Sequence, residues 1–443
     1  MIVVIFGLAL TASKGLVRHA VERSSVFAAS HISAPAAPGA VPAMHAERAS
    51  SAAAFIDSIG VQTHISYVDT PYADWQHVIE KLVELRVRHV RDALPLNPAF
   101  VKHHQQLLAA GIRCTCGFGM EKPVSAEEII QSARAAGDVE ALEAPNECDA
   151  GTNCGGGGKI GIAHVAGILP ALSQAAHTLR LPLIAPSFTT REAYATPGSL
   201  TQWITYNNLH IYFGGRNPGT EGWGAGDASG HRYGSIDWWL DQSELDAPGA
   251  PKIVTETGYE AFDRPTRAGT IPVDVESTYL LRTLLLAWSH GVKRTFVYEL
   301  LDEFPGSGYG LLRHDLSEKP AFTALKNLIN ILGDSPPSSA PRELTYAMDG
   351  DDRSLSHALF QKTDGSYDLI LWLEQSGYDD ASQHKIVVAP SPVHLQFGPR
   401  TGVRKLVSFH ADGSTTSQEF ATTRQSITVP VDDHLQVLHI VSN

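Results

Sequence analysis

The chain has 443 residues, 43% of them apolar and 18% charged, which suits a large packed core and argues against a disordered protein. Its 34 Lys and Arg against 47 Asp and Glu give a net charge of -13, and no basic run occurs. Nucleic acid is therefore not an expected partner, and a polybasic membrane-surface protein is not an expected class.

The N-terminal segment, residues 1–54, has the composition of an export signal followed by a tether. Ile2–Leu10 is an apolar stretch too short to cross a bilayer, and a run rich in Ala, Pro and Ser continues to Ala54. We expect a secreted or periplasmic protein, although the basic residues follow the apolar stretch, which leaves a misassigned start codon as the alternative. No other stretch reaches the length of a spanning helix, so no integral membrane span is predicted.

The four cysteines do not have the spacing of a tetrahedral zinc site, and no metal is expected. Cys148 and Cys154 flank a short loop, where a disulfide would suit an exported protein and two free thiols are an equal alternative. Cys114 and Cys116 lie on a predicted strand, and we expect them to be small buried packing residues.

Between Gly60 and Leu332, short β-branched runs alternate with amphipathic stretches, as in a parallel sheet with helical crossovers. The predicted strands are Gly60–Ser66, His89–Ala93, Ile112–Gly119, Ala141–Glu147, Leu183–Phe188, Asn208–Tyr212, Lys252–Tyr259 and Arg294–Leu301.

Three predicted helices end at a glycine just before a strand, at Gly111, Gly137 and Gly291. This repeated connection, over about 270 residues, favours a closed (β/α)₈ TIM barrel over an open doubly wound sheet. No G-x-G-x-x-G motif follows the first predicted strand, so a dinucleotide fold loses its main support, and no cofactor is expected. We assign residues 55–333 to an α/β barrel domain.

After Gly333 the helical period disappears, and "DSPPSSAP" reads as a linker of turn formers. Residues 341–443 alternate apolar and polar residues between Gly, Asp and Pro turns, as in an antiparallel sandwich. We therefore expect the barrel to be followed by a small C-terminal β-sandwich domain.

Glutamates close two of the predicted barrel strands, at the face where the active sites of such barrels lie. The fourth strand ends in "LEAPNECD", with Asn146 and Glu147, and the seventh ends in "IVTETGYE", with Glu256. Two carboxylates on either side of a sugar bond are what a retaining glycosidase needs, one as acid and one as nucleophile. The alternative is that both are solvated loop acids. Other acids that could form one of a pair are Glu121, Glu143, Glu299 and Asp302.

With these motifs the sequence resembles clan GH-A of the (β/α)₈ retaining glycoside hydrolases. The resemblance covers about Gly60 to Leu332, and "GVQTHISYVDTPY" is most similar to family 39-like and family 5-like members. It implies that Glu147 is the acid/base, that Asn146 binds the sugar 2-hydroxyl and that Glu256 is the nucleophile. It further implies a carbohydrate substrate.

The resemblance also implies roles for Arg91, as support of the nucleophile, and for His210 and Tyr212, at the end of the sixth strand. Each has a structural alternative: for Arg91 an ion pair with Asp92 or Glu84, for the histidine a place in the core, and for the tyrosine packing in the barrel.

Three further residues are candidates for lining the cleft. His64 closes the first strand, and Tyr298 stands on the eighth strand, where many clan members have a tryptophan. Trp223 lies in a glycine-rich loop and could stack on a sugar ring. Trp238 and Trp239 in the same region are expected to begin a helix and pack in the core.

Two other classes of function remain open at this point. A non-catalytic carbohydrate-binding or envelope protein on a barrel scaffold would keep the aromatics and lose a carboxylate. A lyase or metal-dependent hydrolase would need a His/Asp cluster or a phosphate-binding glycine loop at the strand ends. The sugar, the linkage, endo or exo action and the oligomeric state are left open by the sequence.

Overall fold

The structure is a computed structural model that describes residues 43–117, 124–151, 153–333, 340–350 and 353–442. The expected signal, most of the expected linker and Glu121 lie outside these ranges. The described chain forms a parallel barrel followed by antiparallel sheets, which confirms the predicted fold class.

The elements of the barrel region alternate as predicted. The described chain begins with β1 (His45–Arg48), β2 (Ser50–Ser51) and α1 (Ala52–Asp57). The barrel then follows as β3 (Ile59–Gln62), α2 (Trp75–Leu85), β4 (His89–Ala93), α3 (Val101–Ala109), β5 (Arg113–Gly117), α4 (Ala126–Ala136), β6 (Val139–Glu143), α5 (Gly158–Leu179), β7 (Leu183–Ile184), α6 (Arg191–Ala195), β8 (Asn207–Ile211), α7 (Ile236–Ser243), β9 (Lys252–Thr257), β10 (Glu260–Phe262), β11 (Thr270–Pro272), α8 (Val273–Ser289), β12 (Thr295–Val297) and α9 (Pro320–Leu332).

The barrel sheet has eight parallel strands in the order β7-β6-β5-β4-β3-β12-β9-β8. A parallel bridge between Ile184, at the end of β7, and Tyr206, just before β8, nearly closes the ring. Inside it, a Cβ on Gly60 would lie 2.3 Å from the Phe296 ring. The first strand therefore needs glycine where this buried ring fills the barrel.

Local sequence signals set the helix ends. Ser125 and Glu128 form a capping box at the start of α4. Gly111, Gly137 and Gly291 follow α3, α4 and α8 with φ of 76°, 79° and 78°, which confirms the predicted glycine stops.

The C-terminal domain consists of antiparallel sheets. Its strands are β13 (Glu343–Gly350), β14 (Leu355–Gln361), β15 (Tyr367–Leu373), β16 (Tyr378–Asp379), β17 (His384–Lys385), β18 (Ser391–Phe397), β19 (Thr401–Phe409), β20 (Thr415–Arg424), β21 (Ser426–Val431) and β22 (Gln436–Ser442). The two larger sheets have the orders β1-β13-β18-β21 and β2-β14-β15-β22-β19-β20. Apolar residues of both, among them Tyr346 and Leu371, share one core.

The end of the expected tether differs from the prediction. Residues 45–51 form strands β1 and β2, which pair with β13 and β14 of the C-terminal domain. Their composition resembles that of the preceding residues, and only pairing with strands about 300 residues away gives them a regular structure. The β domain is therefore built from both ends of the described chain.

A buried ion pair joins the two domains. Arg282 on α8 is fully buried and contacts Glu374, which follows β15. The Glu374 carboxylate also accepts hydrogen bonds from Trp372 Nε1 (2.8 Å), Asn217 Nδ2 (3.1 Å) and the Gly219 amide (3.2 Å). It thus ties the β domain to the barrel and to the loop after β8.

None of the helices in the described part of the chain has the length and apolar character needed to cross a membrane.

Candidate active site

The side chains proposed from sequence meet at one end of the barrel. Arg91 lies on β4, His210 on β8 and Glu256 on β9, while Tyr212 follows β8 directly. Glu147 follows β6, which ends at Glu143, four residues earlier than predicted. Because parallel strands present their carboxyl ends at one face, these residues surround a common space.

The two candidate catalytic carboxylates face each other across His210. Its Nδ1 lies 2.8 Å from Oε1 of Glu147 and 3.4 Å from Oε2 of Glu256. The contacting atoms of all three residues lie within 4.8 Å of one another. The two carboxylates are thus neighbours across one histidine.

Arg91 is the buried cation of the site. Its Nη1 donates to Glu256 Oε1 (2.6 Å) and to Gln62 Oε1 (2.8 Å), and its Nη2 donates to Asn146 Oδ1 (2.7 Å). Nε and Nη2 also form a two-point pair with Glu143 at 2.7 Å each. Although burial lowers it, the charges of Glu143 and Glu256 raise the pKa of Arg91 further above its ordinary value.

The alternative partners considered for Arg91 are engaged elsewhere. Asp92 accepts from the Thr63 hydroxyl at 2.5 Å, and Glu84 pairs with Lys81 at 2.8 Å on the barrel surface. Arg91 and Asp92 are neighbours on β4, so their side chains lie on opposite faces of the strand. The alternative, an ion pair of Arg91 with Asp92 or Glu84, is therefore not formed.

Both oxygens of Glu256 accept hydrogen bonds. Oε1 accepts from Arg91, and Oε2 accepts from the Tyr212 hydroxyl at 2.8 Å. Burial and the nearby charge of Glu256 raise the Tyr212 pKa well above its ordinary value, so the phenol keeps its proton and donates. A cation and a phenol thus fix the orientation of the Glu256 side chain.

A chain of hydrogen bonds fixes the tautomer of His210. Asn208 Nδ2 donates to Glu143 and to the Ala185 carbonyl, so its Oδ1 must be the acceptor of the Thr255 hydroxyl at 2.7 Å. Thr255 Oγ1 is then the acceptor for His210 Nε2 at 3.0 Å. Since Nε2 carries a proton, Nδ1 is the atom that exchanges one with Glu147.

His210 holds this proton firmly. Burial lowers its pKa, but the charges of Glu256 and Glu147 outweigh burial and raise the pKa above the ordinary value. The protonated imidazole thus lies between the two carboxylates, 2.8 Å from Glu147 and 3.4 Å from Glu256.

Asn146 and the loop after β6 are also fixed. Asn146 Oδ1 accepts from Arg91 and, at 3.4 Å, from the Ser187 hydroxyl, so its amide nitrogen is left to donate. Ser187 Oγ in turn accepts from the Glu147 backbone amide at 3.0 Å. The next residue, Cys148, forms a disulfide with Cys154 and so anchors the loop that carries Glu147.

His64, Glu299 and Glu303 form a second polar cluster at the same face. His64 Nε2 lies 3.5 Å from Glu299 Oε2 and its Nδ1 lies 3.6 Å from Glu303 Oε1. His64 Nε2 and both of these carboxyl oxygens are buried and make no hydrogen bond among the described residues. Polar atoms buried in this way are costly unless a bound group satisfies them.

This second cluster is uncharged near neutrality, apart from partial ionisation of Glu303. Burial lowers the His64 pKa to about 4, and burial together with the charge of Glu303 raises the Glu299 pKa well above its ordinary value. Burial likewise raises the Glu303 pKa to about 7. The close approaches to His64 are therefore not ion pairs.

Two of the aromatic candidates differ in their surroundings. The Tyr298 ring packs edge-on against His64, with centroids 5.9 Å apart, and against Tyr309 at 5.5 Å. Trp223 instead lies under Arg216, 4.4 Å from the guanidinium carbon, and packs against Tyr233. No described contact links the tryptophan to the two glutamates. Trp238 and Trp239 lie buried in α7, as expected.

Several site residues were not proposed from sequence, among them Asn208, Thr255 and Glu303. Alternation along β8 and β9 was the available signal for the first two, whereas Glu303 lies beyond the end of β12. Glu143 was an alternative member of a catalytic pair, and the structure pairs it with Arg91. Asp302, another such candidate, is bound to Lys319 at 2.9 Å. Glu299, the fourth, belongs to the cluster with His64.

Glu147, His210 and Glu256 offer three oxygen and nitrogen atoms close enough together to contact one ion. However, both oxygens of Glu256 already accept hydrogen bonds, one of them from the Arg91 cation. The guanidinium supplies the positive charge that a metal would bring, so the arrangement suits acid–base chemistry better than metal binding.

No model of a known protein family matches the sequence, and no curated protein matches it. Solved structures do match. A family 39 glycoside hydrolase from Bacteroides cellulosilyticus is 14% identical, with 89% of this chain and 81% of that chain covered and a TM-score of 0.56. A family 39 enzyme from Xanthomonas axonopodis pv. citri is 14% identical, with 89% and 96% covered and a TM-score of 0.57. A monomeric β-xylosidase from Caulobacter crescentus is 12% identical, with 89% and 98% covered and a TM-score of 0.58. The resemblance to clan GH-A is thereby confirmed at the level of the fold.

Proposed function

We propose that this protein is a retaining glycoside hydrolase that cleaves O-glycosidic bonds of an oligo- or polysaccharide by double displacement. One observation carries the proposal: carboxylate oxygens of Glu147 and Glu256 lie within 4.8 Å of each other, Glu147 beside the His210 imidazole and Glu256 beside the Arg91 guanidinium. The fold shared with family 39 glycoside hydrolases supports it. A barrel with only a binding function would not need this pair of environments.

In the first step, Glu256 attacks the anomeric carbon while the Glu147–His210 pair gives its proton to the leaving oxygen, and the glycosidic bond breaks. Arg91 and Tyr212 orient the attacking carboxylate. In the second step, the same pair takes a proton from water, whose oxygen bonds to the anomeric carbon and releases Glu256. Two inversions give net retention.

The cluster of His64, Glu299 and Glu303 suits hydroxyl groups of a neutral sugar. Its orphaned atoms include acceptors and carboxyl protons, and a sugar hydroxyl both donates and accepts. The Asn146 amide is free to donate to a further hydroxyl beside the reacting carbon. Aryl β-xylosides are the first substrates to try, because one structural neighbour is a β-xylosidase.

We further propose that the protein is exported. The apolar N-terminal stretch supports this, as does the cysteine pair Cys148–Cys154, because disulfides persist in oxidising compartments.

The proposed function is tested by stereochemistry. A panel of aryl glycosides identifies a substrate, and proton NMR then follows the first-formed product, which should have the anomeric configuration of the starting bond. Glu256→Ala should abolish turnover without unfolding the chain, and azide should restore product of inverted configuration. An inverted first product from the wild type, or a Glu256→Ala variant of near-normal activity, would overturn the proposal.

A further inference from the structure

A second group of reactive side chains lies on the outer face of the barrel, between β5 and helices α3 and α4. Thr115 faces the barrel interior and contacts Glu140, so its neighbours on β5, Cys114 and Cys116, face the helices. His104 on α3 meets them, and the ligand atoms of the three residues lie within 4.8 Å of one another. All three are at most 1% exposed. Two sulfurs and an imidazole thus converge in a dry interior.

The imidazole is oriented by a buried carboxylate. Asp138, just before β6, is fully buried, and its two oxygens lie 2.9 and 3.2 Å from His104 Nδ1. Nδ1 is thus engaged by the aspartate, and Nε2 is the ring nitrogen left to bind a ligand. Histidines that bind metal ions usually donate their other ring N–H to a carboxylate in this way.

The two cysteines are bonded to each other in the structure, which is the oxidised state of the pair. Their Cα atoms are 5.4 Å apart, whereas two residues of extended strand span about 6.6 Å. The pairing of β5 with β6 shifts register between Cys114 and Thr115, where the strand is contracted. A disulfide needs neither the imidazole nor the aspartate beside it, so these two residues point to a ligand.

We propose that the reduced pair Cys114 and Cys116, together with His104, binds one thiophilic metal ion, Cu(I) or Zn(II), and that Asp138 positions the imidazole. A dithiol such as dithiothreitol supplies two electrons and two protons, breaks the sulfur–sulfur bond and becomes a cyclic disulfide itself. The ion then replaces the two thiol protons and bonds both sulfurs and Nε2. Soft thiolates select these ions over harder ones.

This site lies on the opposite face of β5 from the barrel interior and does not depend on the proposed glycosidase activity. The cysteine spacing alone had argued against a metal because it lacks a four-cysteine pattern. The third ligand comes from the preceding helix, and only the packing of α3 on β5 brings it to the sulfurs.

The test uses the full chain, reduced with dithiothreitol, freed of reductant without oxygen, and titrated with Cu(I) or Zn(II) against a chromogenic chelator. Reduction also opens the other cysteine pair, so the double variant Cys148→Ser/Cys154→Ser serves as matched control and should still bind one ion per chain. Cys114→Ser/Cys116→Ser should bind none, and Asp138→Asn should weaken affinity about 10- to 100-fold.

The oxidised wild type gives a comparison that needs no substitution in the core. With its sulfurs bonded to each other it should bind neither ion. The proposal is overturned if the reduced wild type takes up neither Cu(I) nor Zn(II), if the oxidised chain binds as well as the reduced one, or if Cys114→Ser/Cys116→Ser keeps the same stoichiometry.

Discussion

His210 places its Nδ1 atom 2.8 Å from Oε1 of Glu147. Because Nε2 of the same ring is committed to Thr255, Nδ1 is the ring atom that can share a proton with Glu147. In the proposed mechanism the imidazole is therefore part of the acid, and its raised pKa keeps the shared proton in place toward higher pH.

Replacing His210 with Asn should move the basic limb of the pH–rate profile to lower pH, because the imidazole, whose pKa is raised, would no longer hold the proton beside Glu147. We expect kcat/KM on substrates with poor leaving groups to fall about 10²- to 10³-fold. Thr255→Ser, which keeps the hydroxyl, is the matched control and should leave the limb in place. An unchanged basic limb in His210→Asn would show that the histidine only packs.

Replacing Glu147 with Ala should slow alkyl glycosides far more than activated aryl glycosides, because only a poor leaving group needs a proton. The measurement is the dependence of kcat on leaving-group pKa, which should become steep in the variant. Equal losses across all leaving groups would mean that another residue is the acid.

The barrel and the two strand ends that carry Glu147 and Glu256 could be predicted because both follow from local sequence patterns, namely the alternation of residues in strands and the glycines that end helices. The second barrel strand has the predicted bounds, His89–Ala93. The fourth ends at Glu143 instead of Glu147, because Pro145 in the next segment has no amide proton for the ladder. Glu147 therefore lies on a loop, although its place in the site is the one expected.

What escaped the sequence depends on distant contacts. The pairing of Arg91 with Glu143 joins residues 52 positions apart. No local pattern in the sequence distinguishes it from the alternative, an ion pair with Asp92 or Glu84. His64 and Glu299 are neutral because they are buried. Alternation along a strand predicts burial for apolar residues, and it gave no such indication for these two polar ones. The glycine-rich loop around Trp223 indicated a residue that stacks on a sugar ring, yet the Trp223 ring packs against Arg216.

Replacing His64 with Ala should lower kcat/KM about 10- to 100-fold, because the substrate hydroxyl loses a partner and two carboxyl groups remain unpaired. Thermal stability should hold or rise, since the folded chain without substrate loses no hydrogen bond from His64 Nε2. His77→Ala, at a half-exposed position on α2, is the control for loss of an imidazole. A fall in stability with unchanged kinetics would give His64 a purely structural role.

Replacing Glu374 with Ala should destabilise the protein by about 3–5 kcal/mol, because Arg282 would be left as an unpaired charge in the interior. Urea unfolding measures the difference. The control is Glu419→Ala, which removes an exposed pair with Lys405 at 3.8 Å and should cost less than about 1 kcal/mol. Equal effects of the two substitutions would mean that the domain contact depends on apolar packing alone.

Glu276 on α8 should make stability fall as pH rises. Burial raises its pKa to about 8, against the opposing charge of Lys319. Below pH 4.5, the ordinary value, both folded and unfolded chains hold the proton and ionisation costs nothing. Between that pH and about 8 only the unfolded chain releases it, and the accumulated loss of stability is on the order of 5 kcal/mol.

Glu276→Gln keeps the shape of the side chain and cannot ionise, so the variant should lose this slope. The measurement is urea unfolding of wild type and variant across the same pH series, with Glu80→Gln on the exposed face of α2 as matched control. The stability gained by Glu276→Gln should be absent at low pH and should grow steadily until about pH 8, above which it is constant. A gain that is the same at every pH would assign the effect to packing, and the buried carboxyl would then not be the group that titrates.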